Sequence, residues 1–154
     1  MNLVVAVSAN RRTLDELLEA ARAQIARLEP VDAYAATEQG ALLIDIRAEV
    51  DRERDGIVPG SLHIPRTVLE WRLDPDSSWR NPHVGSLDQQ IVLICDHGCS
   101  SIFAAATLVE LGFARAGDVV GGFAAWRKAG LPIAPSPPYR RGLDEPAGMR
   151  PPNH

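Results

Sequence analysis

The sequence predicts a single α/β domain built on a small, mainly parallel sheet, and three observations carry that expectation. Short aliphatic runs of strand length, such as Ala41 to Ile46 and Ile91 to Ile94, alternate with helix-patterned stretches, as parallel strands joined by crossover helices require. One of these runs passes directly into a polar loop and then an alanine-rich helical stretch, from Ile91 through Cys95 to Leu111. The 154 residues suffice for one domain with a sizeable core and are too few for two ordinary ones, and no internal repeat divides them.

The elements follow in order. Met1 to Asn10 holds an apolar pentad without a flanking pattern and is left as an arm. Thr13-x-x-Glu16 is a capping box, and Leu14, Leu17, Leu18, Ala21, Ile25 and Leu28 recur at helical spacing, which predicts an amphipathic helix ending before Pro30. The arm and this helix, residues 1–30, are expected to pack on a domain spanning 31–133. Val31 to Gln39 reads as a second helix stopped by Gly40. Ala41 to Ile46 is a buried strand closing on Asp45 and Arg47. Ala48 to Gly60 is charged and expected to be irregular, and Ser61 to Ile64 is a short strand ended by Pro65. Thr67 to Leu73 makes one or two helical turns, with Trp71 read as a packing residue, and Asp74 to Asp88 is a long surface connection.

Beyond the Cys95 loop and its helix, Asp118 to Val120 is a last short strand, broken by Gly121-Gly122 and followed by a helix over Phe123 to Ala129. Seven of the twelve prolines lie between Pro132 and Pro152 with few apolar neighbours, so residues 134–154 are expected to form a disordered or extended tail.

Composition narrows the function. A net charge of −4 leaves no footprint for nucleic acid or an anionic membrane, which points to a small-molecule or protein partner. Leu3 to Val7 is too short for a secretory core, no run approaches membrane-spanning length, and two cysteines four positions apart cannot staple distant parts of a fold. A reducing cytoplasm is therefore expected, where a cysteine is catalytic or buried rather than disulfide-bonded. Cys95 and Cys99 lack the paired spacing and further ligands that zinc requires, so no metal is expected, and no cofactor.

Cys95 is the residue on which function turns. It sits at the carboxyl end of a buried strand, where open α/β sheets bind ligands. The loop Asp96, His97, Gly98, Cys99 leads into a helix opening at Ser100 or Ser101, whose backbone N–H groups and dipole converge near the sulfur. That setting favours thiolate, the nucleophilic form. The competing reading is a small buried residue, since free cysteine is often buried.

Three stretches together resemble the rhodanese family of sulfurtransferases. They are Leu43-Ile44-Asp45-Ile46-Arg47 with Gly56 to Pro65, the Cys95 loop, and Val120-Gly121-Gly122-Phe123-x-x-Trp126 closing at Gly130-x-Pro132. The resemblance implies a small parallel sheet with helices on both faces. It implies that Cys95 accepts a sulfane sulfur from a donor such as thiosulfate, mercaptopyruvate or a protein persulfide, and passes it to cyanide, a thiol or a protein acceptor. The substrate-binding loop is then Asp96, His97, Gly98, Cys99, Ser100 and Ser101, with Asp45, Arg47 and Arg52 as supporting residues.

The loop departs from the family pattern. Most thiosulfate-using members resemble Cys-x-x-Gly-x-Arg-Ser, and the arginine position is here Ser100. The loop holds no Lys or Arg, and Asp96 adds a negative charge, a poor host for a dianion; neutral loops are more similar to those of mercaptopyruvate-using enzymes. Relatives with phosphatase or arsenate-reductase activity carry arginine six positions after the cysteine, where this chain has Ser101.

The remaining polar residues have plainer readings. Asp45 and Arg47 can pair with each other, or with Glu49 or Glu53, to hold the fold. Arg52 and Arg54 stand where they could extend over the loop mouth, although a charge run is by default solvated. His97 fits a proton donor or a solvent-facing side chain, and His63 a hydrogen-bonded packing residue. Cys99 is expected to face outward, too far from Cys95 for a disulfide. The alternatives to a sulfurtransferase are a binding or regulatory module that has lost catalysis, and a thiol redox sensor using both cysteines.

Overall fold

The structure is a computed structural model and describes residues 10–138. The apolar pentad near the amino terminus and residues 139–154 of the Pro-rich tail lie outside the described residues. The elements run α1 (Leu14–Arg22), β1 (Ala26–Leu28), α2 (Pro30–Glu38), β2 (Leu42–Asp45), α3 (Glu49–Asp55), β3 (Leu62–His63), then a 3-10 turn (Arg66–Val68) leading into α4 (Leu69–Leu73). They continue with β4 (Ile91–Ile94), α5 (Ser100–Glu110), β5 (Ala116–Val119) and α6 (Gly122–Lys128). The strands form one five-stranded sheet in the order β1-β5-β4-β2-β3, every neighbouring pair parallel.

Residues one apart on a strand face opposite sides, and here each side is buried. On one face Ile91, Leu93 and Cys95 pack with Leu69, Leu73, Ala104, Ala105, Leu108 and Phe113, the side covered by α4 and α5. On the other, Val92 and Ile94 pack with Ala33, Val119, Phe123 and Trp126 from α2, β5 and α6. This two-sided burial is why the strands read as unbroken aliphatic runs. It also fixes which way Cys95 points, toward α5 and away from α6. No helix among the described residues is long and apolar enough to cross a membrane.

Four expectations are corrected. The first helix stops at Arg22 and residues 26–28 form the edge strand β1, with Arg27 opposite Asp118 in the register. Ile25 and Leu28 satisfy helical spacing, but three residues cannot distinguish the periods, and pairing with β5 decides the outcome. The capping box itself forms, the Glu16 N–H donating to Thr13 Oγ1 at 3.2 Å. Residues 49–55, read as irregular, are a helix without an apolar stripe, stopped by Gly56 at φ 89°. Trp71 is half exposed, while Leu69 and Leu73 make the buried contacts of α4. The last strand is Ala116–Val119, beginning two residues and ending one residue before its pattern. Ala134, at the head of the tail, forms an isolated antiparallel bridge with Ile57.

Candidate active site

The Cys95 loop is held by backbone contacts that only glycine permits. Gly98 stands at φ 78°, and a Cβ there would lie 2.6 Å from the Gly121 nitrogen. Gly122 stands at φ 62°, and a Cβ there would lie 2.7 Å from the Gly98 nitrogen and collide with the Cys95 carbonyl oxygen. With both side chains absent, the start of α6 closes on the loop: the Phe123 N–H donates to the Cys95 carbonyl at 2.7 Å and the Ala124 N–H to the Asp96 carbonyl at 3.0 Å. The loop is therefore clamped between two helix starts, α5 continuing from it and α6 bonding its back.

Within the clamp, Cys95 is 5 % exposed. The Gly98 N–H donates to its sulfur at 3.1 Å, and the Ser101 hydroxyl lies 3.3 Å away on the first turn of α5. Burial, the largest single influence, pushes the thiol up. It is outweighed by hydrogen bonds from the Ser101 hydroxyl and backbone, the Ser100 hydroxyl and the Gly98 N–H, so the net direction is downward. Since thiolate is the reactive form, the rate of Cys95 alkylation by iodoacetamide should rise with pH through an inflection below the ordinary thiol value of about 8.5. Site-resolved mass spectrometry of the alkylated peptide reads that curve; an inflection at or above the ordinary value would contradict the cradle.

The structure separates the residues singled out in the sequence. Gly98 and Ser101 touch the sulfur, the exposed Ser100 turns its hydroxyl toward it from the rim, Asp96 is partly exposed, and His97 and Cys99 are exposed. Both cysteines are free thiols, Cys95 buried and Cys99 exposed. Asp45, Arg47 and Arg52 do not reach the sulfur. Arg47 donates to both Asp45 oxygens at 3.0 and 2.8 Å and to the Gly56 carbonyl at 2.8 Å, with its guanidinium 3.8 Å above the Phe123 ring. Arg52 neither extends over the mouth nor is solvated as its charge run suggested: it is buried between Asp45 and Glu49. His63 is hydrogen-bonded as its sequence position implied, to the Arg47 carbonyl at 2.8 Å and to Glu49 at 2.8 Å.

On the solvent side of the loop Arg54 comes within 3.8 Å of Asp96. It is also paired with Asp51 at 3.1 Å and Asp55 at 2.8 Å, and Asp55 lies 3.9 Å from Arg127. Three carboxylates thus share two guanidiniums at the mouth. Behind the loop, sequence reasoning missed a second cluster. Asp118, fully buried on β5, accepts from Ser101 at 2.7 Å and from Arg27 of β1 at 2.9 Å. No metal-binding group of three or more His, Cys, Asp or Glu side chains occurs among the described residues.

A family model for the rhodanese-like domain matches residues 29–129. The chain belongs to the rhodanese-like family. Among its curated relatives, the thiosulfate sulfurtransferase GlpE of Pseudomonas savastanoi is 41 % identical over 101 residues, covering 66 % of this chain and 86 % of the relative. GlpE of Haemophilus influenzae is 31 % identical over 107 residues, covering 69 % and 91 %. Relatives of this closeness place the chain in the sulfurtransferase class of rhodanese-like enzymes. A solved structure from Rhodopseudomonas palustris, a protein of unknown function described as a possible tyrosine phosphatase, matches at TM-score 0.73 and 36 % identity over 80 % of this chain and 95 % of that one. The polysulfide-sulfur transferase homodimer of Wolinella succinogenes matches in fold, with TM-score 0.65 and 24 % identity over 87 % and 93 %. The rhodanese-like fold accounts for the clamp: the matched region contains the cysteine loop and the double glycine on which it rests.

Proposed function

We propose that this rhodanese-like sulfurtransferase carries sulfur as a persulfide on Cys95, and that its mouth disfavours doubly charged donors. The carrying observation is the sulfur itself, nearly buried yet facing N–H and O–H donors that stabilise an anion without a side-chain cation. The Cys95 thiolate attacks the outer sulfur of the donor; with thiosulfate, a sulfur–sulfur bond forms, the donor's sulfur–sulfur bond breaks, and sulfite leaves with the electron pair. An acceptor such as cyanide or a thiolate then attacks the outer persulfide sulfur, and Cys95 leaves as thiolate. Electrons balance within the two displacements, so no redox cofactor enters. Intact mass after incubation with thiosulfate, mercaptopyruvate or a persulfide tests the first half: a gain of one sulfur atom is expected, and no gain with any donor would remove the reading.

Donor preference follows from the rim. Ser100 is exposed and uncharged at the position where arginine occurs in thiosulfate-using loops, and Arg54 is already shared among Asp51, Asp55 and Asp96. Singly charged donors and persulfides therefore suit this mouth better than thiosulfate, the substrate in the relatives' name. Hydrolysis of phosphate esters is disfavoured on the same ground, because no loop cation faces the sulfur. Ser100→Arg is expected to raise thiosulfate use by about tenfold to 150-fold, the worth of one charge-assisted hydrogen bond of about 1.5–3 kcal/mol, with a smaller gain for mercaptopyruvate. Steady-state thiocyanate formation at two salt concentrations checks it: the gain should shrink with salt. Equal gains for every donor would count against the charge reasoning.

A further inference from the structure

The parallel register sets Arg27 on β1 directly beside Asp118 on β5, on the sheet face that also carries Cys95. Arg27 holds Asp118 with two bonds, Nε to Oδ1 at 2.9 Å and Nη2 to Oδ2 at 3.1 Å, and the same Nη2 donates to the Gly98 carbonyl at 3.1 Å. Asp118 Oδ2 accepts the Ser101 hydroxyl at 2.7 Å, and that hydroxyl oxygen is 3.3 Å from the Cys95 sulfur. Ser101 and Asp118 are both fully buried. The chain of contacts thus runs from the sulfur through Ser101 and Asp118 to Arg27, and returns to the loop at Gly98. We propose that Arg27 and Asp118 are positioning residues for Cys95: Asp118 orients the Ser101 hydroxyl, and Arg27 cancels the buried carboxylate's charge so that the sulfur is free to become an anion. This rests on the reading of Cys95 as the sulfur carrier.

The hydroxyl has two uses. Against a thiol, the S–H donates to Ser101 Oγ and the hydroxyl donates to Asp118. Against a thiolate or persulfide anion, the hydroxyl turns and donates to the sulfur, and Asp118 keeps its two Arg27 bonds. Without Arg27, the same carboxylate would be a buried, unpaired negative charge one side chain from a second forming anion, and would retain the Ser101 proton for itself. The other charged groups around the thiol lie elsewhere. Asp96 and His97 are on the solvent side of the loop, Arg54 of α3 faces Asp96, and the charges of α1 and α6 are exposed. On α5 the charged residue is Glu110, at the far end of the helix.

The experiment measures Cys95 alkylation against pH in a Cys99→Ser background, where a single thiol reports. Arg27→Gln is expected to move the inflection up by about one pH unit, close to a tenfold loss of reactivity on the lower limb with the high-pH plateau retained. The double variant Arg27→Gln with Asp118→Asn removes both charges but keeps an acceptor for Ser101, and should bring the inflection back. Asp118→Asn alone leaves Arg27 uncompensated and should move the inflection down. A purely structural role would lower thermal stability and leave the inflections in place, and that result overturns the proposal. A double variant as shifted as Arg27→Gln overturns it equally. Should Arg27→Gln fail to fold, Asp118→Asn decides alone: an inflection unmoved or raised is fatal. Alkylation needs no sulfur donor, so a chain that titrates as expected but moves no sulfur would sink the sulfur-carrier reading and leave the positioning role intact.

Discussion

Cys95→Ala is expected to abolish persulfide formation and reduce sulfur transfer to the uncatalysed background while leaving the fold in place. The loop around residue 95 is built from backbone bonds, the Cys95 carbonyl to Phe123 and the Asp96 carbonyl to Ala124, and alanine preserves both. What alanine removes is the one atom that the Gly98 N–H and the Ser101 hydroxyl surround. Because Cys95 also packs with the α5 face of the core, a small loss of stability, about 1 kcal/mol, accompanies the change. In a domain of this length that lowers the thermal midpoint by about 2–4 °C. The two readouts are intact mass after donor treatment and thiocyanate yield with cyanide as acceptor. Cys99→Ala should retain most of the activity, since that thiol is on the exposed rim. A dead Cys99→Ala beside an active Cys95→Ala would move the carrier four residues along the loop.

The parts of the site that rest on local pattern were legible in the sequence. A fully buried tetrad ending in cysteine announces a strand end, because parallel strands covered on both sides have no polar alternation to obscure their limits. The glycines at 98, 121 and 122 were legible as breaks, and the structure gives the reason: at 98 and 122 two backbones approach too closely for a side chain, and at 121, with φ 74°, a Cβ would meet that of Ala125. The Arg27, Asp118 and Ser101 cluster was not legible. Arg27 and Asp118 are 91 positions apart, and no periodicity links them. The sheet order joins the first strand to the last, so a tertiary register makes the pair, and helical spacing at Ile25 and Leu28 concealed the strand that carries it. Helix α3 escaped for the opposite reason: it has charges where an amphipathic stripe would be, and its buried member is Arg52. Arg52 and Arg54, two positions apart in one charge run, accordingly part company: Arg52 is buried with Asp45, and Arg54 alone of the two reaches Asp96.

Gly122→Ala should damage stability and chemistry together, which distinguishes it from any substitution at the sulfur. An L-residue at φ 62° costs about 1–2 kcal/mol from its own backbone. The added Cβ would also meet the Cys95 carbonyl oxygen, with the Gly98 nitrogen at 2.7 Å and the Asp96 carbonyl carbon at 2.8 Å, and none of these is the free end of a flexible side chain. Relief requires α6 and the loop to move apart, which breaks the 2.7 Å bond from Phe123 to Cys95 and withdraws the Gly98 N–H from the sulfur. The combined loss is about 2–4 kcal/mol, or a fall of about 5–15 °C in the thermal midpoint. Gly130 supplies the control: it has φ 71°, but nothing lies within 4 Å of its Cβ position. Gly130→Ala should therefore show the conformational cost alone, with Cys95 alkylation unchanged. In Gly122→Ala the midpoint should fall further, and the alkylation inflection should climb toward the ordinary thiol value, because burial persists while a stabilising donor is lost. Equal midpoints for the two variants, with the Cys95 curve unmoved in both, would show that the closure of α6 on the loop does not set the reactivity of the sulfur.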